Sequence, residues 1–146
     1  MKSNISTFAL AAVVAIASLS AAHAQTQASR VSVPFAFECA GVSFAPGTYT
    51  ISKVDGEHRI TLRDSQTSAI VLINIADGPK NAKRGYVAFR KYGNRYFLAE
   101  YHPANSTHSM GFPQSGKERR VAKEYAMNRT DPGRVQLALN DGDWIR

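Results

Sequence analysis

Apolar and polar residues alternate in short runs along most of this chain, the two-residue period of strands that bury one face. The plainest case is Gly85–Tyr101, GYVAFRKYGNRYFLAEY. Two aromatic-rich runs flank Gly93-Asn94, a two-residue hairpin loop whose leading glycine supplies a positive φ without a Cβ clash. This loop sets Tyr92 opposite Arg95, Phe89 opposite Leu98 and Val87 opposite Glu100. Val87, Phe89, Tyr96 and Leu98 then share one face, and Tyr86, Arg90, Tyr92, Phe97 and Tyr101 the other.

The same period predicts further strands. In Arg30–Phe37, Val31, Val33, Phe35 and Phe37 point one way, while Pro34 cannot donate to a ladder and argues for an edge. Glu38–Gly47 reads as a connection closing in the turn signal Ala45-Pro46-Gly47. Thr48–Val54 and His58–Arg63 form a second hairpin around Asp55-Gly56, with Ile51 opposite Ile60 and Tyr49 opposite Leu62. Ala69–Ile75, AIVLINI, is apolar on both parities and reads as a central strand covered on both sides. Left exposed, it would be an aggregation hazard. His102–Pro113 reads as an irregular connection.

The period changes once. Over Ser115–Asn128, Val121, Ala122, Tyr125 and Ala126 make a narrow apolar stripe among charged residues, and Ser115 with Glu118 forms a capping box. Asp131-Pro132-Gly133 stops this helix, and Arg134–Leu139 reads as a last strand, with Trp144-Ile145 placed to pin the tail. The pattern gives a mainly-β fold: a single antiparallel β-sandwich or partly open β-barrel of about seven strands with one C-terminal α-helix. Sandwich and barrel are equally compatible with it.

The N-terminus departs from this pattern. Lys2 precedes the apolar Phe8–Leu19, and Ala22-His23-Ala24 offers small residues where a signal peptidase reads. Residues 1–24 are therefore expected to be a signal peptide, and residues 25–146 a single β-rich domain, exported to the periplasm or beyond the cell. The apolar run is shorter than the roughly 20 residues of a membrane span, and no later segment reaches that length.

Composition narrows the chemistry. Cys39 is the only cysteine, which excludes an intrachain disulfide framework. It reads as a small buried hydrophobe, with pairing to another chain as the alternative. Without residues 1–24 the charge is 17 − 11 = +6, a balance that favours anionic surfaces and solubility alike.

Four stretches together carry a resemblance: VPFAF (Val33–Phe37), APGTYTI (Ala45–Ile51), VAFRKYGNRYFLAEY (Val87–Tyr101) and SGKERRVA (Ser115–Ala122). They resemble a group of small exported proteins found chiefly in Acidobacteria, with a VPFxF, PAGTY, FxRYGxxYFL and SxxE pattern. The chain departs from it at Ala45-Pro46-Gly47, where the group has Pro-Ala-Gly, and at His102-Pro103, where a Trp-containing segment is common. The resemblance implies export and one compact β-rich domain. It carries over no catalytic residue.

The candidate chemistry is sparse. His58, His102 and His108, with Glu38 and Glu100, lack the clustered spacing of a zinc site, and no cofactor motif is present. There is no G-x-S-x-G, and the aspartates sit in turn signals, so no catalytic residue is assigned. Arg84-Gly85-Tyr86 begins like an RNA-binding motif but does not continue as one, and export argues against nucleic acid as a partner. The suggestive feature is cationic. Lys80, Lys83 and Arg84 precede the aromatic hairpin, while Lys91 and Arg95 flank its tip beside Tyr92 and Tyr96. Loops gathered at one end of the sheet would make a cationic rim for an anionic glycan, a lipid head group or another envelope protein. A non-catalytic binding module using these residues is the expected function. A small-ligand carrier with a pocket inside a barrel is the alternative, and a hydrolase or metal-dependent enzyme stands behind both.

Overall fold

The computed structural model describes residues 26–54, 58–79, 83–128 and 131–140. The expected signal peptide, the Asp55-Gly56 turn, Lys80 and Trp144-Ile145 lie outside the described residues. Among the described residues the chain forms, in order, β1 (Thr26–Val33), β2 (Phe37–Cys39), β3 (Val42–Phe44), β4 (Gly47–Val54), β5 (Arg59–Arg63) and β6 (Ser68–Leu72). There follow β7 (Asn74–Asp77), β8 (Tyr86–Tyr92), β9 (Arg95–His102), β10 (His108–Gly111), α1 (Gly116–Met127) and β11 (Gly133–Ala138). One sheet has the order β1-β4-β5-β6. The other has the order β11-β8-β9-β10-β7, with the β2–β3 hairpin joined to β9 by the parallel pair Glu38–Phe97. Neither sheet closes on itself. The mainly-β expectation holds, with eleven strands among the described residues where about seven were expected, and a sandwich rather than a barrel satisfies it.

The inner positions are those the alternation picks out. Val31, Val33, Tyr49, Ile51, Ile60 and Leu62 from one sheet meet Val87, Phe89, Leu98 and Tyr101 from the other in one core cluster. Phe37, Phe44, Tyr49 and Phe89 fill its middle: Phe37 stacks on Phe44 at 5.0 Å and takes Tyr49 and Phe89 edge-on at 5.1 and 5.3 Å. Offset and edge-on contacts are the arrangement aromatic quadrupoles favour. The Tyr49 hydroxyl donates to the Ala45 carbonyl, so this buried phenol keeps a polar partner.

The main hairpin forms with the expected turn. Gly93 has φ +62° and Asn94 no positive φ, the II′ arrangement. Tyr92–Arg95 and Phe89–Leu98 pair as expected. Val87 does not face Glu100. A bulge beside Ala88/Phe89 sets Ala88 opposite Glu100 and Val87 opposite Tyr101. One extra residue reverses the parity of everything beyond it. Tyr101 therefore turns into the core, fully buried, and Glu100 turns out.

Other boundaries move for similar reasons. The Arg30–Phe37 run divides at Pro34, which ends β1 after Val33: β1 is an edge strand, and Phe37 belongs to the opposite sheet. Ala40 (φ +52°) and Gly41 (φ +87°) make a tight turn, so the connection expected over Glu38–Gly47 contains the β2–β3 hairpin. In the second hairpin Ile51 faces Leu62, not Ile60, a slip of two residues that keeps every apolar side chain on its face. The irregular stretch after His102 contains β10, paired with both β9 and β7.

The largest correction concerns Ala69–Ile75. It is not a central strand. The chain leaves one sheet after Leu72 and enters the other at Asn74, so the run supplies the edge strands β6 and β7. Ala69, Val71 and Ile73 are buried, while Ile70 and Leu72 are 70% and 71% exposed.

Helix α1 begins where its cap predicts. Ser115 accepts from the Glu118 amide at 3.1 Å. The Glu118 side chain does not close the expected capping box. It is buried and ion-paired with Arg90 of β8, which also donates to the Phe112 carbonyl at 3.2 Å. Val121, Ala122 and Tyr125 pack on Tyr92 and Phe97, so the helix covers the outer aromatic face of the hairpin.

Candidate functional site

The binding residues expected from sequence fall at separate places. Lys80 lies outside the described residues. Lys83 and Arg84 are exposed just before β8, whereas Lys91 and Arg95 stand at its far end. A strand of seven residues lies between them, about 20 Å of extended chain. Among the described residues the structure therefore does not gather Lys83, Arg84, Lys91 and Arg95 into one rim. Tyr92 is buried under α1, edge-on to Tyr125 at 5.5 Å, with Gln114 Nε2 3.4 Å from its hydroxyl. Burial and the nearby Glu118 charge push its phenol above the usual value. Tyr92 faces no solvent.

Lys91, Arg95 and Tyr96 do come together, with partners the sequence did not suggest. The parallel contact of β2 with β9 brings Glu38 beside the hairpin tip. Arg95 reaches Glu38 Oε1 at 3.1 Å, and Lys117 of α1 reaches the same oxygen at 2.9 Å. Glu38 Oε2 is buried and has no hydrogen-bond partner. Tyr96 stacks on Phe35 at 4.0 Å, and Lys91 Nζ lies 5.5 Å from the Tyr96 ring centre, within cation–π range. Arg95 lies similarly over Phe97, at 5.3 Å.

These groups border a cleft of about 180 Å³ lined by Ala36, Phe37, Glu38, Ser43, Phe44, Asn94, Arg95 and Tyr96. Its chemistry is mixed. Asn94 and Ser43 offer neutral hydrogen-bonding groups and Tyr96 offers ring surface, while the Glu38 carboxylate lies beside them with Oε2 buried. Around it stand three cations, Lys91, Arg95 and Lys117, against the single carboxylate of Glu38. The place therefore keeps a positive surplus although its carboxylate is paired twice.

A second polar cluster lies on β8, β9 and β10. Ser109 Oγ donates to Glu100 Oε1 at 2.8 Å and sits 3.1 Å from His102 Nδ1. Tyr86 donates to the same Glu100 oxygen at 2.8 Å, and Arg134 of β11 to the other at 2.7 Å. Burial would raise the Glu100 carboxyl, but the hydrogen bonds from Ser109, Tyr86 and Arg134, with the Arg134 charge, outweigh it and hold the group below its usual value. His102 is fully buried, stacked on Tyr86 at 5.1 Å, with Nε2 unpartnered. This is not a hydrolase triad: the carboxylate holds the serine, where a triad's carboxylate orients the histidine. The cluster fastens the four strands β8, β9, β10 and β11 together. His108 is exposed and 3.0 Å from Thr107 Oγ1.

Among the described residues no three His, Cys, Asp or Glu side chains lie close enough together to hold a metal ion, and no helix is long and apolar enough to cross a membrane. Cys39 is buried, and that burial, more than the Glu118 charge, raises its thiol to about 12. Sequence reasoning missed Lys117, Asn94 and Ser43, and had considered Glu38 only as a metal ligand. They meet through the β2–β9 contact and the docking of α1, neither of which leaves a local signal. Comparison with known protein families, curated proteins and solved structures finds no match to this chain.

Proposed function

We propose that this is an exported, non-catalytic binding module of the cell envelope whose hairpin-tip cleft takes an acidic glycan. The observation that supports it most is the cleft itself, where half-buried Tyr96 and exposed Asn94 stand beside Arg95 and Lys117, both cations held on the Glu38 carboxylate. The exposed Asn94 amide can hydrogen-bond a sugar hydroxyl. A sugar ring lies well against an aromatic face, and acidic substituents answer the surplus of Lys91, Arg95 and Lys117. The carrier alternative needs a barrel interior. Here two open sheets face each other, and Phe37, Phe44, Tyr49 and Phe89 fill the space between them.

Isothermal titration with a uronic-acid oligosaccharide and its neutral counterpart tests the reading. Binding of the acidic ligand is expected at low salt, weakened about tenfold, or about 1.4 kcal/mol, by Tyr96→Ala and again by Glu38→Gln. Raising the salt should weaken it further, as screening requires. Binding indifferent to both substitutions, or absent for every oligosaccharide, would overturn the assignment. Binding to anionic vesicles in place of oligosaccharides would move the ligand class to a lipid head group.

A further inference from the structure

Among the described residues no strand pairs with the outer edge of β6, and this edge differs from the other sheet edges. The β1 edge is met by Asn140, which bridges to Arg30. The β7 edge carries Asp77 and runs into Gly78-Pro79, β11 carries Arg134, and β3 has only three residues. Charge, proline and shortness are the devices that keep sheet edges from pairing with other chains. β6, Ser-Ala-Ile-Val-Leu, has no charge, proline or bulge. Ile70 and Leu72 stand 70% and 71% exposed on its outer face, and Ile75 of β7 is 43% exposed just beyond the crossing. Three of the five exposed large apolar residues among those described therefore fall within this short run.

The hydrogen-bond phase of β6 is fixed at both ends. Ile73 donates to the His58 carbonyl and Asp64 to the Thr67 carbonyl, each at 2.9 Å. The alternation of an antiparallel ladder then turns the backbone groups of Ala69 and Val71 toward β5. Those of Ser68, Ile70 and Leu72 point away from the sheet. They are the middle and both ends of a five-residue strand, so the outward pattern is symmetric about Ile70.

We infer that β6 pairs antiparallel with β6 of a second copy about a two-fold axis at Ile70, joining two four-stranded sheets into one. Every outward N–H and C=O of Ser68, Ile70 and Leu72 then finds a partner: Ile70 opposite the second copy's Ile70, and Ser68 opposite its Leu72. An identical strand is the partner this edge fits because the contact is self-complementary and closes on itself. The neighbouring charges permit it. Arg63 is paired beside Ser68 and Arg59 beside Leu72. In the dimer these arginines lie three strand spacings apart, about 14 Å, beyond the Debye length of about 8 Å at physiological salt. The cleft at Glu38 belongs to the other sheet and takes no part in the pairing.

The test is sedimentation equilibrium on the expressed chain, in the processed form its host yields, from micromolar to millimolar concentration. The mass should rise toward twice the monomer. Ile70→Lys, at an exposed position, should keep the far-ultraviolet spectrum and abolish the rise. Cysteine crosslinking then fixes the register, since the buried Cys39 does not compete. Ile70→Cys should oxidise to a covalent dimer, because directly opposed Cα atoms about 5.5 Å apart suit a disulfide. Leu72→Cys alone should not, as the two copies of that residue lie about 13 Å apart along the strands. A mixture of Ser68→Cys and Leu72→Cys should crosslink. A monomer at every concentration, an Ile70→Lys protein that still dimerises, or equal crosslinking by Leu72→Cys alone would each overturn the inference.

Discussion

Gly93→Ala tests how closely α1 sits over the hairpin tip. Gly93 has φ +62°, where an L-residue is strained, by about 1–2 kcal/mol. A Cβ at this position would also lie 2.2 Å from the Tyr125 hydroxyl and 3.4 Å from the ring carbon bearing it. Such overpacking costs about 1–3 kcal/mol, at the lower end here because half-buried Tyr125 can swing its outer end aside. The substitution should therefore destabilise by about 2–3 kcal/mol. Tyr125→Phe removes the clashing oxygen but leaves the backbone strain. In that background Gly93→Ala should cost only the strain, about 1–2 kcal/mol, which gives a coupling of about 1 kcal/mol. Urea unfolding followed by circular dichroism measures all four proteins, with the midpoint moving and the slope constant. Effects that add to within about 0.3 kcal/mol would mean that Tyr125 does not cover the turn.

Three further predictions follow from the packing. Ala40→Asn relieves an alanine held at φ +52° and should stabilise by about 1 kcal/mol, read as a higher melting temperature. Arg90→Met leaves the buried Glu118 carboxylate without its ion-pair partner and should cost about 3 kcal/mol, most of it recovered when Glu118→Leu is added. Glu100 is held below the ordinary carboxyl value of 4.5, so its contribution is fully present above that value and is lost as pH falls through the folded-state value. Glu100→Gln should accordingly be less stable than the natural protein at neutral pH, with the gap closing under acid. A gap that stays constant with pH would contradict the network.

The faces of this fold were more legible in the sequence than its edges. Alternation placed Val31, Val33, Tyr49, Ile51, Ile60 and Leu62 inward, and a two-residue slip in the β4–β5 register did not disturb them. The bulge at Ala88/Phe89 left no mark, because Glu100 and Tyr101 suit either face of an aromatic hairpin until packing decides between them. AIVLINI misled for a physical reason. A run apolar on both parities describes a buried strand, and it equally describes a chain that changes sheets midway. The candidate site was half visible: Lys91, Arg95 and Tyr96 flank a turn that the sequence announces. Glu38 and Lys117 are 57 and 22 residues from Arg95, and only tertiary pairing brings them there.

The sheet changes have a kinetic consequence. Among the described residues the path starts in one sheet with β1, crosses at Pro34 to make β2 and β3, returns for β4 to β6, and crosses again at Ile73 to complete the second sheet. Asn140, after the last strand, then bridges back to Arg30 of the first. Each sheet takes strands from both sides of an excursion into the other, so neither is completed without the chain that builds its partner. Contacts this distant in sequence make folding slow, and they leave no stable stopping point on the way. Unfolding should therefore follow a single exponential with the same rate constant from either sheet, and a protease should find an intact domain or an open chain, with no resistant fragment between them.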